Sequence, residues 1–420
     1  MSVAAAVQPS VRTWLPRPHA FLALVLLMAL VTRVAWLGEP GSSLIFDEAY
    51  YVNAARVMLH IHPPGDAPYA HDPQGQDPNK EHPPLGKVFI AGSMLVLGDN
   101  PVGWRIPSVI AGMLCVLLVY LVVAAVAGDR WLALLAATLF SLDNLVLVHS
   151  RIGVLDIFLL MFMLCAAWAA LRDRPWLAGI GCALATLVKI NGTYAVLALL
   201  VYYAALGFIR WRREHRLPRP ELVAMGVMVA VYVPLFLGGL FLLDRAFSAF
   251  TNPFDHIRFM VDYGFALKRA GGPVNVESYP WQWLINEVQI PYLQVNQTVT
   301  NGTDQQVKSL VYFRGAMNPF LIGTFPVALG YSAWRAWKLQ DRLSIFVVAW
   351  VAGAYLPFYY LAIVGQRISY IFYFLLTLPA VAISIAQLLR MEALPRLVMW
   401  VFLFAVCGGF IGYFPFRTIP

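Results

Sequence analysis

Long apolar runs recur along the whole chain and are separated by short polar segments. Ten of these runs are close to the length of about 20 residues that crosses a bilayer as a helix, and they occupy 20–37, 106–127, 130–148, 152–171, 191–209, 222–243, 316–334, 343–363, 368–389 and 396–414. A shorter run, 175–190, is also expected to span, whereas 85–98 is doubtful. The pattern predicts an all-α polytopic membrane protein.

Basic residues fix the expected topology, because cytoplasmic loops are enriched in Lys and Arg. Arg12 and Arg17 precede the first run, and a basic cluster fills 210–219. We therefore expect a cytoplasmic N-terminus and a cytoplasmic 210–219 loop. The first run is expected to be an uncleaved span, since no small-residue cleavage site follows it.

Counting back from the 210–219 loop, with 175–190 as a span, places 38–105 on the external side. The run 85–98 then begins and ends outside, as a re-entrant or interfacial helix, and the total is eleven spans. In the alternative, 85–98 spans and 175–190 does not, which moves Arg151 to the cytoplasmic side.

This topology divides the chain into four parts. They are a cytoplasmic tail (1–19), an N-terminal transmembrane module with the external loop 38–105 (20–243), a second external loop (244–315) and C-terminal transmembrane helices (316–420).

Composition supports a membrane protein and excludes several other classes. The 420 residues are 60% hydrophobic and 12% charged, whereas a soluble domain carries about 25% charged residues. The formal charge of +8 resides in short clusters between apolar runs, so it indicates topology, and no nucleic-acid partner is expected. The four cysteines lie within apolar runs without a metal-binding spacing, so no metal site is expected.

The first external loop begins with adjacent carboxylates, Asp47 and Glu48. Charges at a bilayer boundary are costly and usually functional. The segment after them reads as an amphipathic helix over 49–59, which puts Asp47 in the first turn, where the helix dipole favours the ionised form. An ionised Asp suits a general base, and a simple helix cap is the alternative.

A second polar cluster lies in the same loop and comprises Glu81, His82 and Lys87. Pro83 and Pro84 stiffen the chain between these residues and mark the start of the next helix. His82 and Lys87 are suited to holding a phosphate, and Glu81 to orienting a hydroxyl. A polar connector without function is the alternative.

Four further charged residues interrupt apolar sequence. Arg151 and Asp156 are expected either to pair at a helix entrance or to line a pocket. Lys189 is read as a snorkelling side chain. Arg367 opens an external helix end and is suited to an anionic headgroup or to an interfacial anchor.

Several of these residues, in this order, resemble the protein O-mannosyltransferases, which belong to the polytopic GT-C glycosyltransferases that use polyprenyl-phosphate sugars. The motifs that carry the resemblance are Phe46-Asp47-Glu48, His82-Pro83-Pro84-Leu85-Gly86-Lys87, Ser150-Arg151 with Leu155-Asp156, Ser278 with Trp281-Gln282-Trp283, and Arg367 with Tyr370 and Tyr373. The resemblance runs from about residue 20 to 390 and is closest to bacterial members without lectin-like repeats.

The resemblance implies about eleven transmembrane helices with external interfacial helices and an active site on the outer face of the inner membrane. It implies inverting transfer of mannose to Ser or Thr hydroxyls of exported proteins, without a cofactor or metal. For catalysis it points to Asp47 as the base, with Glu48 beside it to shape the site. It points to Glu81, His82 and Tyr50 for the acceptor or sugar, and to Arg367, Lys87 and Arg105 for the donor phosphate.

The expected partners are the polyprenyl-phosphate-sugar lipid and an exported polypeptide, with association to a secretion translocon or as a dimer. The segment Tyr370-Ile371-Phe372-Tyr373 lacks the His that many members carry there, which leaves the acceptor open. The alternatives are a lipid or glycan acceptor, as in aminoarabinose transferases, and a transporter. A transporter is disfavoured because the ionisable residues gather at helix ends and not at the bilayer midplane.

Overall fold

The computed structural model describes residues 18–41, 43–247, 250–268, 276–301 and 304–415. Arg12 and Arg17, on which the prediction of a cytoplasmic N-terminus depends, lie outside the described residues. So do parts of the predicted tail and of the second external loop.

The described residues form mostly α-helices. In chain order these are α1 (Pro18–Val34), α2 (Glu48–Met58), α3 (Leu85–Leu97), α4 (Pro101–Ala127), α5 (Arg130–Ser141), α6 (Asn144–His149), α7 (Asp156–Leu171), α8 (Pro175–Val188), α9 (Thr193–Glu214), α10 (Arg219–Phe247), α11 (Pro253–Ala266), α12 (Pro280–Trp283), α13 (Pro319–Lys338), α14 (Arg342–Ala354), α15 (Leu356–Ile363), α16 (Leu378–Leu389) and α17 (Arg396–Tyr413). Short 3-10 helices occupy Ile190–Gly192 and Ile371–Thr377.

Among the described residues, six helical stretches are long and apolar enough to cross a membrane by length and composition. They are Pro101–Ala127, Ile190–Glu214, Arg219–Phe247, Arg342–Ile363, Ile371–Leu389 and Arg396–Tyr413. Shorter apolar helices cover Ala20–Val34, Leu85–Leu97, Arg130–Ser141, Asp156–Leu171 and Pro175–Val188. The polytopic helical class is confirmed, and the count of eleven crossings stays a prediction.

Each of the eleven predicted spans falls on one helix or on a broken pair. The run 130–148 divides at Asp143, whose side chain accepts hydrogen bonds from the first amides of α6 and so starts a new helix. The run 343–363 divides at Tyr355, and a proline begins α15. Proline supports a helix start because its missing N–H would have no partner there.

The helices α8 and α9 run antiparallel between two ends of the molecule. The residues before α8, around Asp173, and the C-terminal turns of α9 line one cavity, whereas Lys189 and Tyr194, at the junction of the two helices, line another. Thus α8 traverses the bundle, as expected for 175–190. Gly192 at the junction lies so close to the backbone of Ala185 and Thr186 that no Cβ would fit.

The short helix α3 begins and ends on the side of the molecule that holds this junction. His82, just before α3, lines the same cavity as Lys189. Arg105, in the helix after α3, bonds to Glu48, next to the cavity residue Asp47. This placement agrees with a re-entrant or interfacial role for 85–98.

A β-hairpin in the second loop was not predicted. Strands β1 (Ile290–Asn301) and β2 (Asp304–Gly315) pair antiparallel, from Ile290 opposite Gly315 to Asn301 opposite Asp304. The buried aromatic side chains of Tyr292 and Phe313 anchor the base of the hairpin. The all-α class therefore describes the body of the molecule, with one two-stranded sheet added.

Small residues allow the central helices to pack closely, as membrane helix interfaces require. A Cβ on Gly181 of α8 would lie 2.8 Å from the Ala166 amide nitrogen of α7. Gly353 of α14 meets the backbone of Ala198 in α9 in the same way. These close contacts hold α7, α8, α9 and α14 together beneath the junction at Lys189.

Candidate active site

A cavity of about 640 Å³ lies at the junction of α8 and α9. Six parts of the chain line it, and they are the start of α2, residues 79–82, residues 189–194, the region 260–267 around the end of α11, Val276, and residues 361–373. These segments are remote in sequence, and both predicted external loops contribute. Acidic and basic side chains share this one space.

Asp47 occupies the position just before α2, but its carboxylate makes no capping hydrogen bond to a described residue. The helix-cap alternative therefore does not explain this side chain, which lines the cavity. Burial, together with the charges of Asp156 and Glu81, raises the pKa of Asp47 to about 7, although Lys189 opposes the shift. A carboxyl group with such a pKa is able to accept a proton near neutral pH.

The backbone before Asp47 adopts a strained conformation that aromatic packing holds in place. Phe46 has φ +54°, which is uncommon for a bulky side chain. Its ring stacks on Tyr292 with centroids 4.1 Å apart and meets Phe372 edge-on at 5.6 Å. The Tyr292 hydroxyl bonds to Nε2 of buried His149 at 2.8 Å. The base of the hairpin therefore fixes the entry into α2.

Glu48 is fully buried and is not part of the cavity lining, so it is placed to shape the site and not to take a proton in the cavity. Its two carboxylate oxygens accept from Arg105 Nε at 2.8 Å and Nη2 at 3.0 Å. They also accept from the Ile45 amide at 2.7 Å and the Gly153 amide at 2.8 Å. Glu48 thus anchors the turn that presents Asp47.

Arg105 and Lys87, which were predicted to contact the donor phosphate, do not line the cavity. Arg105 is buried and gives its remaining hydrogen bonds to the carbonyls of Leu37 and Glu39. Lys87 is fully buried, with Nζ 2.5 Å from an Asp77 carboxylate oxygen and 2.8 Å from the His82 carbonyl. Both predictions are corrected, since each cation is used to hold a loop in place.

The loop that Lys87 holds carries Glu81 and His82 into the cavity. The Asn79 side-chain amide donates to Glu81 Oε1 at 2.6 Å and fixes that carboxylate. Burial and the nearby cations Lys189, Lys87 and Arg367 lower the pKa of His82 well below its ordinary value, so the ring is neutral. His82 Nδ1 is buried and has no hydrogen-bond partner among the described residues.

Lys189 is a buried cation in the cavity lining. Its Nζ lies 3.0 Å from Asp156 Oδ1 and over the rings of Phe372 and Tyr373, at 5.6 and 5.7 Å. The predicted pairing of Asp156 with Arg151 is therefore wrong, because Asp156 pairs with Lys189. Arg151 donates to the carbonyls of Thr32 and Ala35.

Arg367 lies in the cavity lining, as expected. Its Nε donates to the Gly264 carbonyl at 2.7 Å, and its guanidinium carbon is 5.9 Å from the Tyr373 ring centroid. Within the described ranges Nη1 and Nη2 have no partner, so both remain available to an anion. Tyr50 also lines the cavity, with its ring edge-on to Tyr69 at 6.4 Å.

The structure brings together Asp47, Tyr50, Glu81, His82 and Arg367, all of which were predicted for the site. Sequence reasoning did not assign Lys189 to the site. The signal was present, because Lys189 with Asn191 interrupts two apolar runs at an external end. The described residues contain no group of three or more His, Cys, Asp or Glu side chains placed to hold a metal ion.

Comparison with known proteins identifies relatives of this chain. Residues 81–237 match the family model of the dolichyl-phosphate-mannose-protein mannosyltransferases. The polyprenol-phosphate-mannose–protein mannosyltransferase of Mycolicibacterium smegmatis is 26% identical over 88% of this chain and 81% of its own length. An undecaprenyl phosphate-alpha-4-amino-4-deoxy-L-arabinose arabinosyl transferase of Pseudomonas aeruginosa is 32% identical over 48% of this chain and 36% of its own.

Solved structures share the fold. A chain of the Saccharomyces cerevisiae protein O-mannosyltransferase Pmt1-Pmt2 complex, bound to the sugar donor, superposes with TM-score 0.67 at 11% identity, over 97% of this chain and 91% of that one. ArnT from Cupriavidus metallidurans, bound to undecaprenyl phosphate, gives TM-score 0.55 at 17% identity, over 92% and 62%.

Proposed function

Because this chain belongs to the protein O-mannosyltransferase family of GT-C membrane glycosyltransferases, we propose that it transfers mannose from polyprenyl-phosphate-mannose to Ser or Thr hydroxyls of exported proteins. The observation that carries the mechanism is the Asp47 carboxylate, which makes no helix-capping hydrogen bond and shares one cavity with two cations, Lys189 and Arg367.

Asp47 acts as the general base. The acceptor hydroxyl oxygen attacks the anomeric carbon of mannose, and Asp47 takes the hydroxyl proton. The bond between that carbon and the phosphate oxygen breaks, and the electron pair leaves with the polyprenyl phosphate. Base catalysis of this kind contributes about 10² to 10⁴ in rate. A single displacement inverts the configuration of the anomeric carbon.

Arg367 and Lys189 bind the donor phosphate and stabilise the charge that develops on it. Arg367 is positioned by the Gly264 carbonyl and lines the cavity. Lys189 forms an ion pair with Asp156, and this pair holds the lysine side chain in place when the phosphate is absent. Cations fixed in advance stabilise a leaving group without reorganisation during the reaction.

Glu81, His82 and Tyr50 form the acceptor or sugar side of the site. Glu81 is held by Asn79, and the neutral His82 ring carries an unpartnered nitrogen within the described structure. A neutral imidazole both donates and accepts hydrogen bonds, which suits sugar or backbone groups. No metal or other cofactor is required in this mechanism.

The arginines near the C-terminal end of α9 support an orientation with the cavity on the external face of the inner membrane, since basic segments stay cytoplasmic. Exported polypeptides reach the cavity on that face. We include association with the secretion translocon, or with a second subunit, as part of the proposal, because external acceptors need delivery to a membrane-embedded site.

A protein acceptor is better supported than a lipid acceptor. The match to the M. smegmatis mannosyltransferase covers 88% of this chain, whereas the match to the arabinosyl transferase covers 48%. The two proposals differ in acceptor and share the donor chemistry.

The test is transfer by the purified full chain from ¹³C-labelled polyprenyl-phosphate-mannose to a Thr-rich peptide, with a Val-for-Thr peptide as control. We expect label on the Thr peptide with an inverted anomeric centre by NMR. Parallel reactions offer membrane lipids as acceptors. Label on lipid alone would overturn the protein acceptor, and retained configuration would overturn the single displacement.

A further inference from the structure

A second cavity, of about 660 Å³, lies at the opposite end of α9. Its walls are the C-terminal turns of α9, the start of α10, residues around Asp173 and the loop before α14. On α9 the nearest lining residues of the two cavities, Tyr194 and Tyr203, are nine positions apart, which is about 14 Å along the helix. The proposed glycosyl transfer does not use this second cavity.

The charges that line this second cavity balance. Three arginines and three carboxylates contribute, namely Arg210, Arg213, Arg342, Asp173, Glu214 and Glu221. Arg210 Nε lies 3.0 Å from Glu221 Oε1, and Arg342 Nη2 lies 2.9 Å from Asp173 Oδ1. Most of the charge is therefore neutralised within the protein.

Three lining residues keep bonding capacity that their neighbours do not use. Arg213 contacts the Gln340 side chain and has no carboxylate partner in the part of the chain that is described. Glu221 Oε2 and the Tyr203 hydroxyl are buried and lack hydrogen-bond partners among the same residues. Buried polar atoms without partners are rare and point to a missing ligand or water.

The cavity also has an apolar wall next to the lipid-facing surface. Leu206 and Ile209 of α9 and Val223 of α10 line it, and Val223 is 62% exposed on the outer surface of the bundle. A ligand that fits this cavity thus has a polar headgroup with one positive and one negative charge. Its apolar part extends from the cavity into the bilayer.

We propose that this second cavity binds the headgroup of a zwitterionic phospholipid with a primary ammonium, of the phosphatidylethanolamine class. Its phosphate lies against Arg213, its ammonium donates to Glu221 Oε2 and the Tyr203 hydroxyl, and its acyl chains follow the wall formed by Leu206, Ile209 and Val223.

Two features favour this headgroup over other phospholipids. An anionic headgroup leaves Glu221 Oε2 without a donor and adds net negative charge to a lining that is already neutral. A trimethylated headgroup presents no N–H to Glu221 or Tyr203, and a buried acceptor left unpaired is costly. The ammonium with its three N–H donors satisfies both groups.

The test is native mass spectrometry of the full chain in detergent, titrated with dioleoyl phosphatidylethanolamine, phosphatidylglycerol or phosphatidylcholine. We expect phosphatidylethanolamine to bind about tenfold more tightly than the other two, the size of effect given by one charge-assisted hydrogen bond. Arg213→Gln is expected to weaken it about tenfold. Tyr203→Phe, which leaves the ion pairs intact, is expected to weaken it severalfold.

Arg212→Gln is the matched control, because Arg212 is the neighbouring arginine and packs on Phe208 outside the lining of the second cavity. Equal loss of binding in Arg212→Gln and Arg213→Gln, or equal affinity for all three lipids, would overturn the proposal. Phosphatidylglycerol binding more tightly than phosphatidylethanolamine would overturn it in favour of an anionic-lipid site. Mannosyl transfer is measured separately, so failure here leaves the proposed function untouched.

Discussion

At the N-terminal end of α9, the candidate active-site cavity holds acidic and basic side chains that mostly do not pair with each other. Asp47 makes no helix-capping hydrogen bond, and Arg367 bonds to the Gly264 carbonyl through Nε alone among the described residues. At the C-terminal end, the second cavity holds arginines and carboxylates that mostly pair with each other. The two cavities have similar volumes, about 640 and 660 Å³. Cavity size therefore does not distinguish the candidate active site from the second cavity, whereas the pairing of the charged side chains does.

The largest effect is expected from Asp47→Asn, which removes the charge of the carboxylate that lines the candidate active-site cavity. We expect transfer to fall by about 10³-fold, within the range of general base catalysis. Asp72→Asn, an exposed acid of the same loop, is the control and should retain full activity. Transfer by Asp47→Asn within tenfold of wild type would remove Asp47 as the base.

The same variant is expected to be more stable than wild type at pH 8. The folded-state pKa of Asp47 is raised to about 7, so ionisation in the folded protein costs stability as pH rises from about 4 to about 7. Asn carries no charge and escapes this cost. We expect the Tm to rise by about 2 °C or more at pH 8, with the gain shrinking towards pH 4. An unchanged or lower Tm at pH 8 would contradict the raised pKa.

Replacing one arginine in each cavity by glutamine compares the two cavities directly. Arg367→Gln removes a proposed phosphate contact, and kcat/KM for the donor is expected to fall by about 10- to 100-fold, the loss typical of a charged hydrogen-bond donor. Arg342→Gln, at the other end, is expected to change transfer less than twofold. Steady-state kinetics with varied donor measures both. Similar losses in the two variants would mean that Arg367 acts through general stability.

The pH profile sharpens the assignment of the base. Because the ionised form of Asp47 is the active one, kcat/KM should rise about tenfold per pH unit below 7 and level off above 8. Replacing Glu81 by Gln should shift the rise to lower pH, since the charge of Glu81 contributes to the raised pKa of Asp47. A rate that is flat between pH 5.5 and 8 would argue against a base with this pKa.

The smallest expected effect is that of metal removal. Incubation of the full chain with EDTA, followed by assay in metal-free buffer, should leave transfer unchanged. A loss that is restored by one divalent cation would show that the site needs a metal bridge to the phosphate.

How far the sequence predicts the site is clearest from adjacent residues. Asp47 and Glu48 are neighbours of the same chemical type, and local sequence cannot tell them apart. The structure separates them because Arg105 and Gly153, 57 and 105 positions away, bond to Glu48 alone. The same long-range pairing removed Lys87 and Arg105 from the list of phosphate contacts.

Helix positions were predictable because apolar runs of membrane length leave few alternatives. The hairpin was missed because the loop was read for topology and not for period-2 alternation. Its signal was present in the sequence, since Leu293, Val295 and Val299 fall on alternate positions among polar residues and the pair Asn-Gly at 301–302 is typical of hairpin turns. Lys189 was not assigned to the site because the sequence alone does not distinguish a snorkelling lysine from one that lines a polar cavity. The structure distinguishes them by the ion pair with Asp156.

The hydrogen bonds of Glu48 also set an order of events during synthesis. The turn that presents Asp47 is secured only after Arg105 and Gly153 have emerged and joined it. The ring of Phe46 finds its stacking partner only when Tyr292 has been made, and Arg367 comes later still. A nascent chain that stops before the hairpin therefore contains Asp47 without the contacts that position it, and the proposed site is complete only once Arg367 has been made.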